Sequence, residues 1–216
     1  MGANEGHQHG NFDGMSPDYK RRLWLVIGIN ATMFVIEMSA GHLARSQALQ
    51  ADALDFFGDA LTYAISLAVI GATLRLRAAA ALAKGVSLAL MGFWIAGSTI
   101  WRVIFLDVPS ADIMGAVGFL ALTANATSVL LLMAYKDGDA NVRSVWLCSR
   151  NDAIGNAFVM LAALGVWGTA TGWPDLAVAG VMASLFMWSS GQVLQQGWAE
   201  WRQSGTSKNT DPTHEQ

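Results

Sequence analysis

The sequence predicts an all-helical, polytopic membrane protein with six transmembrane helices. Of its 216 residues, 53% are hydrophobic and only 13% are charged, and the mean hydropathy is +0.37. About six apolar runs, each near the roughly 20 residues that a helix needs to cross a bilayer, cover nearly all of 21–198. Strands are excluded because an open sheet cannot satisfy its backbone in lipid, and the alternating segments of a membrane barrel do not occur.

Length and charge predict how the chain is divided and oriented. Residues 21–198 are expected to form one transmembrane domain, between a disordered tail, 1–20, and a short tail, 199–216. With the N-terminus inside, all of the 13 Lys and Arg residues except Arg45 and Arg102 fall in inner segments, which places both termini in the cytoplasm. We therefore expect an integral protein of the cell (inner) membrane, with the lipid bilayer as a partner and no nucleic-acid partner.

The N-terminal stretch and the cysteine content predict little additional structure. The single Cys148 excludes an intramolecular disulfide framework, and the polar N-terminal stretch lacks the apolar region of a signal peptide. His7 and His9 lie near Glu5 and Asp13, a composition that could loosely gather a divalent metal. Short His-bearing tails are commonly disordered, and we favour disorder here. No cleaved targeting segment is expected.

Span one, about 21–44, carries two polar residues on one face. Asn30 and Glu37 are seven residues apart, so both should point into the helix bundle. Asn30 is expected to join two helices by a hydrogen bond. Glu37 has two open interpretations, because a buried carboxylate can either pair with a neighbouring polar group or handle protons or metal.

Span two, about 48–74, carries three carboxylates in an otherwise apolar run. Asp52, Asp55 and Asp59 are separated by three and four residues and share one helical face. Asp52 lies in the predicted first turn, where the helix dipole stabilises a carboxylate. Asp55 and Asp59 lie deeper, where an ionisable group costs about 3 kcal/mol on insertion scales and usually marks a functional site. A cation is the natural counter-charge for this face.

Spans three and four, about 78–105 and 110–135, predict packing surfaces. Span three carries Gly85, Gly92 and Gly97, which permit close contact with another helix or with a second copy of the chain. Span four places several polar residues at mid-depth, and these are expected to pack against the core.

Span five, about 142–171, contains the second dense polar group. Cys148, Asp152 and Asn156 follow one another at four-residue spacing and line one face. Antiparallel packing against span two would bring a pair from each helix together, and four ligands from two helices can build a metal site in a bundle. These four side chains are Asp55, Asp59, Cys148 and Asp152. Span six, about 175–197, is expected to be a scaffold.

The ordered set of motifs resembles the cation diffusion facilitator family. The resemblance covers all six spans and is strongest in spans one, two and five. It rests on Asn30, Glu37, Gly41, Ser46, Ala48, Leu49, Ala51-Asp52-Ala53, Asp55, Asp59, Asp152-Ala153-Ile154-Gly155-Asn156 and Trp173-Pro174-Asp175. It implies a transporter, not an enzyme, that exports divalent transition metals in exchange for protons, generally as a homodimer.

By position, the resemblance implies a tetrahedral metal site. The implied ligands are Asp55, Asp59, Cys148 and Asp152. Accessory or metal-access roles are expected for Asp52, Glu37, Asn30 and Asn156. The chain departs from the family at Cys148, where His is common, and at Asp55, where His is frequent. Most members also continue into a cytoplasmic ferredoxin-like domain, which this short form is expected to lack.

The mixed ligand set predicts the transported metal. Thiolate selects Zn²⁺ and other soft ions, whereas carboxylates alone suit Mg²⁺ or Mn²⁺, so Zn²⁺ or Cd²⁺ is expected as substrate and no resident cofactor is expected. Cys148 could also be an inert apolar filler, and this alternative stays open. Because metal binding requires deprotonated ligands, metal and protons compete for the site, which predicts antiport by alternating access.

Two functions of other classes remain as alternatives. A non-transporting membrane metal sensor or assembly protein could use the same ligands, and a flux assay would separate it from a carrier. An intramembrane aspartyl protease would use two Asp residues on different helices, such as Asp59 and Asp152. Phe57-Gly58-Asp59 lacks the Gly-x-Gly-Asp pattern expected of such an enzyme.

Overall fold

A computed structural model of the chain describes residues 16–69, 73–105, 107–137 and 140–206. Side chains at 74, 140–148 and 203–206 are outside this description. The described part is all-helical and contains no strand. Its long helices are α1 (Pro17–Ala44), α2 (Gln47–Ala68), α3 (Leu74–Ile104), α4 (Ala111–Leu132), α5 (Ala140–Thr169) and α6 (Trp173–Thr206).

Within the described ranges, five helical segments are long and apolar enough to cross a membrane. These segments are Pro17–Ala44, Arg75–Ile104, Ala111–Tyr135, Ser149–Thr169 and Trp173–Arg202. Large apolar side chains are exposed along them, including Trp167 at 76% and Trp188 at 67%. The chain is therefore an integral membrane protein whose outer surface suits lipid. α2 is outside this set, although it has 22 residues, because it carries three carboxylates in a short helix.

The first and last helices extend beyond their predicted limits. α1 begins at Pro17, where the Ser16 side chain accepts a hydrogen bond of 3.1 Å from the Tyr19 N–H, so residues 17–20 are helical and not part of a disordered tail. α6 continues to Thr206, past the predicted end at 198. Hydropathy misses both extensions because the added turns are polar.

The boundary between the second and third helices was also misplaced by hydropathy. α2 ends at Ala68, whereas the apolar run predicts helix to position 74. α3 begins at Leu74 because the Thr73 side chain caps it, accepting a hydrogen bond of 3.4 Å from the Leu76 N–H.

The helices pack mainly as three pairs: α1 with α2, α3 with α6, and α4 with α5. Two glycines explain how closely α3 approaches α6. A Cβ added at Gly85 would lie 2.8 Å from the Leu194 side chain, and one at Gly92 would lie 2.9 Å from that of Met187. The predicted packing role is thus confirmed for these two, within one chain. A Cβ at Gly97 would meet no atom within 4 Å.

Two apolar clusters flank the polar part of α1 and α2. At one end Tyr19 packs near Tyr63 and Leu132. At the other end Ala44 and Leu49 belong to a cluster shared with α4 and α5. The carboxylates of α2 lie between these clusters along the helix, and α5 supplies the polar residues at the same level.

Candidate metal centre

α2 presents its carboxylates to two different environments. Asp52 is only 2% exposed, whereas Asp55 and Asp59 are half-buried. The helix begins at Gln47 with Ser46 as its cap, so Asp52 lies in the second turn, and its predicted role in the first turn is wrong. The carboxylate at the N-terminus of α2 comes instead from α6.

Asp175 is that carboxylate, and the sequence did not reveal its role. It accepts hydrogen bonds from the Ser46 hydroxyl at 2.6 Å, the Gln47 N–H at 2.7 Å and the Ala48 N–H at 3.0 Å. Asp175 is 2% exposed and lies in the first turn of α6. The start of α6 is therefore fastened to the start of α2, which fixes the axial position of the carboxylates that follow.

Three of the four predicted ligands line one cavity. Asp55, Asp59 and Asp152 border a space of about 460 Å³ between α2, α3, α5 and α6. The Asp152 carboxyl lies within hydrogen-bonding reach of both Asp55 and Asp59. No three His, Cys, Asp or Glu residues in the described part of the chain converge into a ready-formed metal centre. The three carboxylates share a cavity that a cation can enter, and a further donor is needed to complete a tetrahedral set.

Cys148 is the fourth predicted ligand, and its side chain is outside the described part of the structure. Its backbone lies in α5, one turn before Asp152. His7 and His9 also lie outside the described residues. The predictions made for all three therefore remain predictions.

Tyr63 holds one of the cavity carboxylates in place. Its hydroxyl donates a hydrogen bond of 2.5 Å to Asp59 Oδ2, and its side chain is fully buried. The Tyr63 hydroxyl also lies 3.4 Å from Ser149 Oγ on α5. Charge-assisted hydrogen bonds of this kind fix the orientation of a carboxylate. The four-residue spacing between Asp59 and Tyr63 is the sequence signal that could have indicated this contact.

Lys84 places a positive charge beside the carboxylates. It lies on α3, lines the same cavity, and its charge acts on Asp59. None of the three ion pairs in the described part of the chain includes Lys84. From the sequence, Lys84 is predicted only to lie in an inner segment. α6 contributes Gln192 to the cavity wall and is thus more than a scaffold.

The predicted accessory residues separate into two groups. Asn156 donates to Asp52 Oδ2 at 2.6 Å and accepts from Asn125 at 2.8 Å, and the Glu37 carboxyl lies against Asp52. Asn30 stays apart, because its amide donates to the Val26 carbonyl of its own helix at 2.8 Å. The structure therefore shows a hydrogen bond within α1 for Asn30, and not the interhelical one that was expected.

Comparison with known proteins assigns the chain to a family. Residues 23–197 match the family described as the cation efflux transmembrane domain. Over 193 residues the chain is 25% identical to the metal cation efflux system protein CzcD of Cupriavidus metallidurans, and equally to the cation efflux system protein CzcD of an Alcaligenes species. The aligned region is 83% of this chain but 58% of each relative. The protein therefore belongs to the cation efflux family, in agreement with the cation diffusion facilitator resemblance of its motifs.

Proposed function

We propose that this protein exports divalent transition-metal ions from the cytoplasm in exchange for protons. The observation that carries the proposal is the shared cavity of Asp55, Asp59 and Asp152 inside a membrane domain. Lys84 supplies one positive charge against these three carboxylates, and uncompensated charge in the membrane is costly, so a bound cation is favoured. Membership of the cation efflux family favours a carrier over a sensor or assembly protein, and gives the protease alternative no support.

Cys148 completes the proposed ligand set, together with Asp55, Asp59 and Asp152. It precedes Asp152 by one turn of α5, and this four-residue spacing puts the two positions on the same helical face. Three oxygens and one sulfur form a donor set of mixed hardness. Such a set suits Zn²⁺ and Cd²⁺ better than Mg²⁺, which prefers six oxygen donors.

Proton exchange follows from the chemistry of the same side chains. A carboxyl group or a thiol binds metal only after it has lost its proton, so protons and metal exclude each other from the cavity. Alternating exposure of the cavity to the two sides of the membrane would then drive metal outward and protons inward. We place the protein in the cell (inner) membrane, with both termini in the cytoplasm. α2 is then the sixth crossing helix, surrounded by the helices that pack against it.

A homodimer is part of the proposal and rests on the family resemblance. Gly85 and Gly92 on α3 already contact α6 of the same chain, so an interface based on them is not favoured. Native mass spectrometry of the protein in lipid nanodiscs would measure the number of copies directly. A dimer supports this part of the proposal, and only monomer would contradict it.

A metal screen in proteoliposomes tests the proposed function. The purified protein is reconstituted, a pH gradient is imposed, and initial uptake is measured for Zn²⁺, Cd²⁺, Mn²⁺ and Mg²⁺ separately. We expect Zn²⁺ and Cd²⁺ to be transported faster than Mn²⁺, with little Mg²⁺ flux. Binding of Zn²⁺ without any flux would favour the sensor or assembly alternative, and uptake equal to that of empty vesicles would contradict the proposal.

A further inference from the structure

A second group of buried polar side chains joins four helices beside the cavity. Glu37 on α1, Asp52 on α2, Asn125 on α4 and Asn156 on α5 are each 2% exposed or less. Asn125 donates to Asn156 Oδ1 at 2.8 Å, and Asn156 donates to Asp52 Oδ2 at 2.6 Å. Because the amide oxygen of Asn156 already accepts a hydrogen bond, its nitrogen faces Asp52, and the whole chain of hydrogen bonds points at the Asp52 carboxylate.

Glu37 lies next to Asp52, at the end of this series of hydrogen bonds, and its carboxyl group lacks a hydrogen-bond donor among the described residues. Among the described residues, no donor lies within hydrogen-bonding distance of either of its Oε atoms, although both are buried. The group within hydrogen-bonding reach of Glu37 is the Asp52 carboxyl itself. Glu37 and Asp52 are not expected to be ionised together, because two negative charges in contact repel each other. A buried carboxylate without a hydrogen-bond donor is also costly.

A proton on Glu37 removes the repulsion between the two carboxyl groups and supplies the missing donor. Protonated Glu37 is a donor, and Asp52 is the acceptor that faces it. Asp52 is the better place for the negative charge, because the Asn156 amide donates to it and nothing comparable serves Glu37.

In the described part of the chain, the charged groups that act on Glu37 are both acidic. Asp52 and Asp55 on α2 are the titratable groups that act on it, whereas α4 and α5 present the amides of Asn125 and Asn156. None of the ion pairs among the described residues includes Glu37. A cation bound near Asp55 would therefore bring a positive charge that offsets an ionised Glu37.

We propose that Glu37 is a proton-binding site separate from the metal ligands: it holds a proton, donated to Asp52, while the cavity is empty, and releases it when metal binds. The inference rests on the proposed metal site. Asp52 precedes Asp55 by one turn of α2. A divalent ion bound at Asp55 would therefore act over a short distance on the carboxyl groups of Asp52 and Glu37. On release the Glu37 O–H bond breaks, the proton goes to water, and the metal charge offsets the new carboxylate.

Proton release on metal binding tests this proposal. Zn²⁺ is added to the purified full chain in weakly buffered detergent near pH 7, and released protons are counted with an indicator dye. We expect Glu37→Gln to bind Zn²⁺ but to release about one proton fewer per ion, because the amide donates to Asp52 as the protonated acid does but cannot ionise. Glu200→Gln is the matched control, since Glu200 lies at the far end of α6 beside Gln196, and it should release the same number as the unchanged protein.

Infrared difference spectroscopy gives a second measurement that needs no variant. The proposed ligands include no Glu, so protein labelled with carbon-13 at the glutamate carboxyl reports Glu37 separately from them. We expect Zn²⁺ to remove a label-shifted band of a protonated carboxyl. Absence of that loss, or unchanged proton release by a folded Glu37→Gln protein, would overturn the proposal. If the unchanged protein binds no Zn²⁺, the proposed metal site fails first, and the two failures are therefore distinguishable.

Discussion

Tyr63 lies one helical turn after Asp59 on α2 and donates a hydrogen bond of 2.5 Å to Asp59 Oδ2. Because Tyr63 is fully buried, its hydroxyl cannot turn away to water. One oxygen of Asp59 is thus held in a fixed direction, which leaves the other oxygen for a bound ion. A cavity carboxylate that is oriented before metal arrives loses less freedom when it becomes a ligand.

Tyr63→Phe should therefore weaken transport without removing it. The change deletes one hydrogen bond to a carboxylate, and we expect the apparent KM for Zn²⁺ to rise roughly tenfold. Initial uptake into proteoliposomes over a range of Zn²⁺ concentrations measures the change. Tyr135→Phe is the matched control, because Tyr135 also donates to an aspartate, Asp18, but at an exposed position far from the cavity. Equal KM values for the two variants would contradict the role given to Tyr63.

Lys84→Gln should strengthen metal binding. The ammonium group lines the cavity and repels an incoming divalent ion, so its removal should lower the apparent KM for Zn²⁺ by roughly tenfold. Lys20→Gln, near the start of α1, is the control and should leave the KM unchanged. A KM that stays constant or rises in Lys84→Gln would mean that the lysine does not oppose the metal.

The pH on the release side should control the rate of export. Release requires protons to replace metal on the carboxylates, so transport should slow as the pH on that side rises and the proton concentration falls. The sign follows from competition between two cations for the same oxygens. Initial Zn²⁺ flux is measured with the pH varied on one side only. Flux that ignores a gradient of either direction would exclude antiport, although uniport could survive.

Cys148 can be tested by two substitutions with opposite expectations. If the sulfur ligates metal, Cys148→Ser should reduce Zn²⁺ and Cd²⁺ uptake, with Cd²⁺ affected more, because a hydroxyl is a hard donor that keeps its proton. Cys148→His should retain Zn²⁺ transport, since imidazole suits Zn²⁺. If the side chain only fills space, Ser should be mild and the larger His damaging. A harmless Ser beside an inactive His would reject the thiolate ligand.

The sequence predicts the helical class because apolar runs of membrane length leave few alternatives. It also predicts which residues share a face, and Asp55, Asp59 and Asp152 do border one cavity. Helix ends were less predictable. Capping by Ser16 and Thr73 decides where α1 and α3 begin, and a short polar side chain leaves almost no mark on a hydropathy profile.

Partners across helices could not be read from spacing. Asn156 and Asp52 are 104 positions apart, and Ser46 and Asp175 are separated by 129. Periodicity assigns a residue to a face but does not say which helix meets that face, so the role of Asp175 and the chain of amides leading to Asp52 were missed. Lys84 was missed for a related reason, because its place in the cavity depends on how α3 packs against α6.

Zn²⁺ uptake by Asp152→Asn tests the proposed metal site most directly. Asp152 is the carboxylate that lies within hydrogen-bonding reach of both Asp55 and Asp59. Asparagine keeps the shape of the aspartate side chain but removes its charge. Asp112→Asn, at an exposed position in the first turn of α4, is the matched control. Asp152→Asn vesicles should take up no more Zn²⁺ than empty vesicles, although the purified variant should unfold at the same temperature as the unchanged protein. Asp112→Asn should transport normally. Uptake by Asp152→Asn at the rate of the unchanged protein would contradict a metal site between α2 and α5.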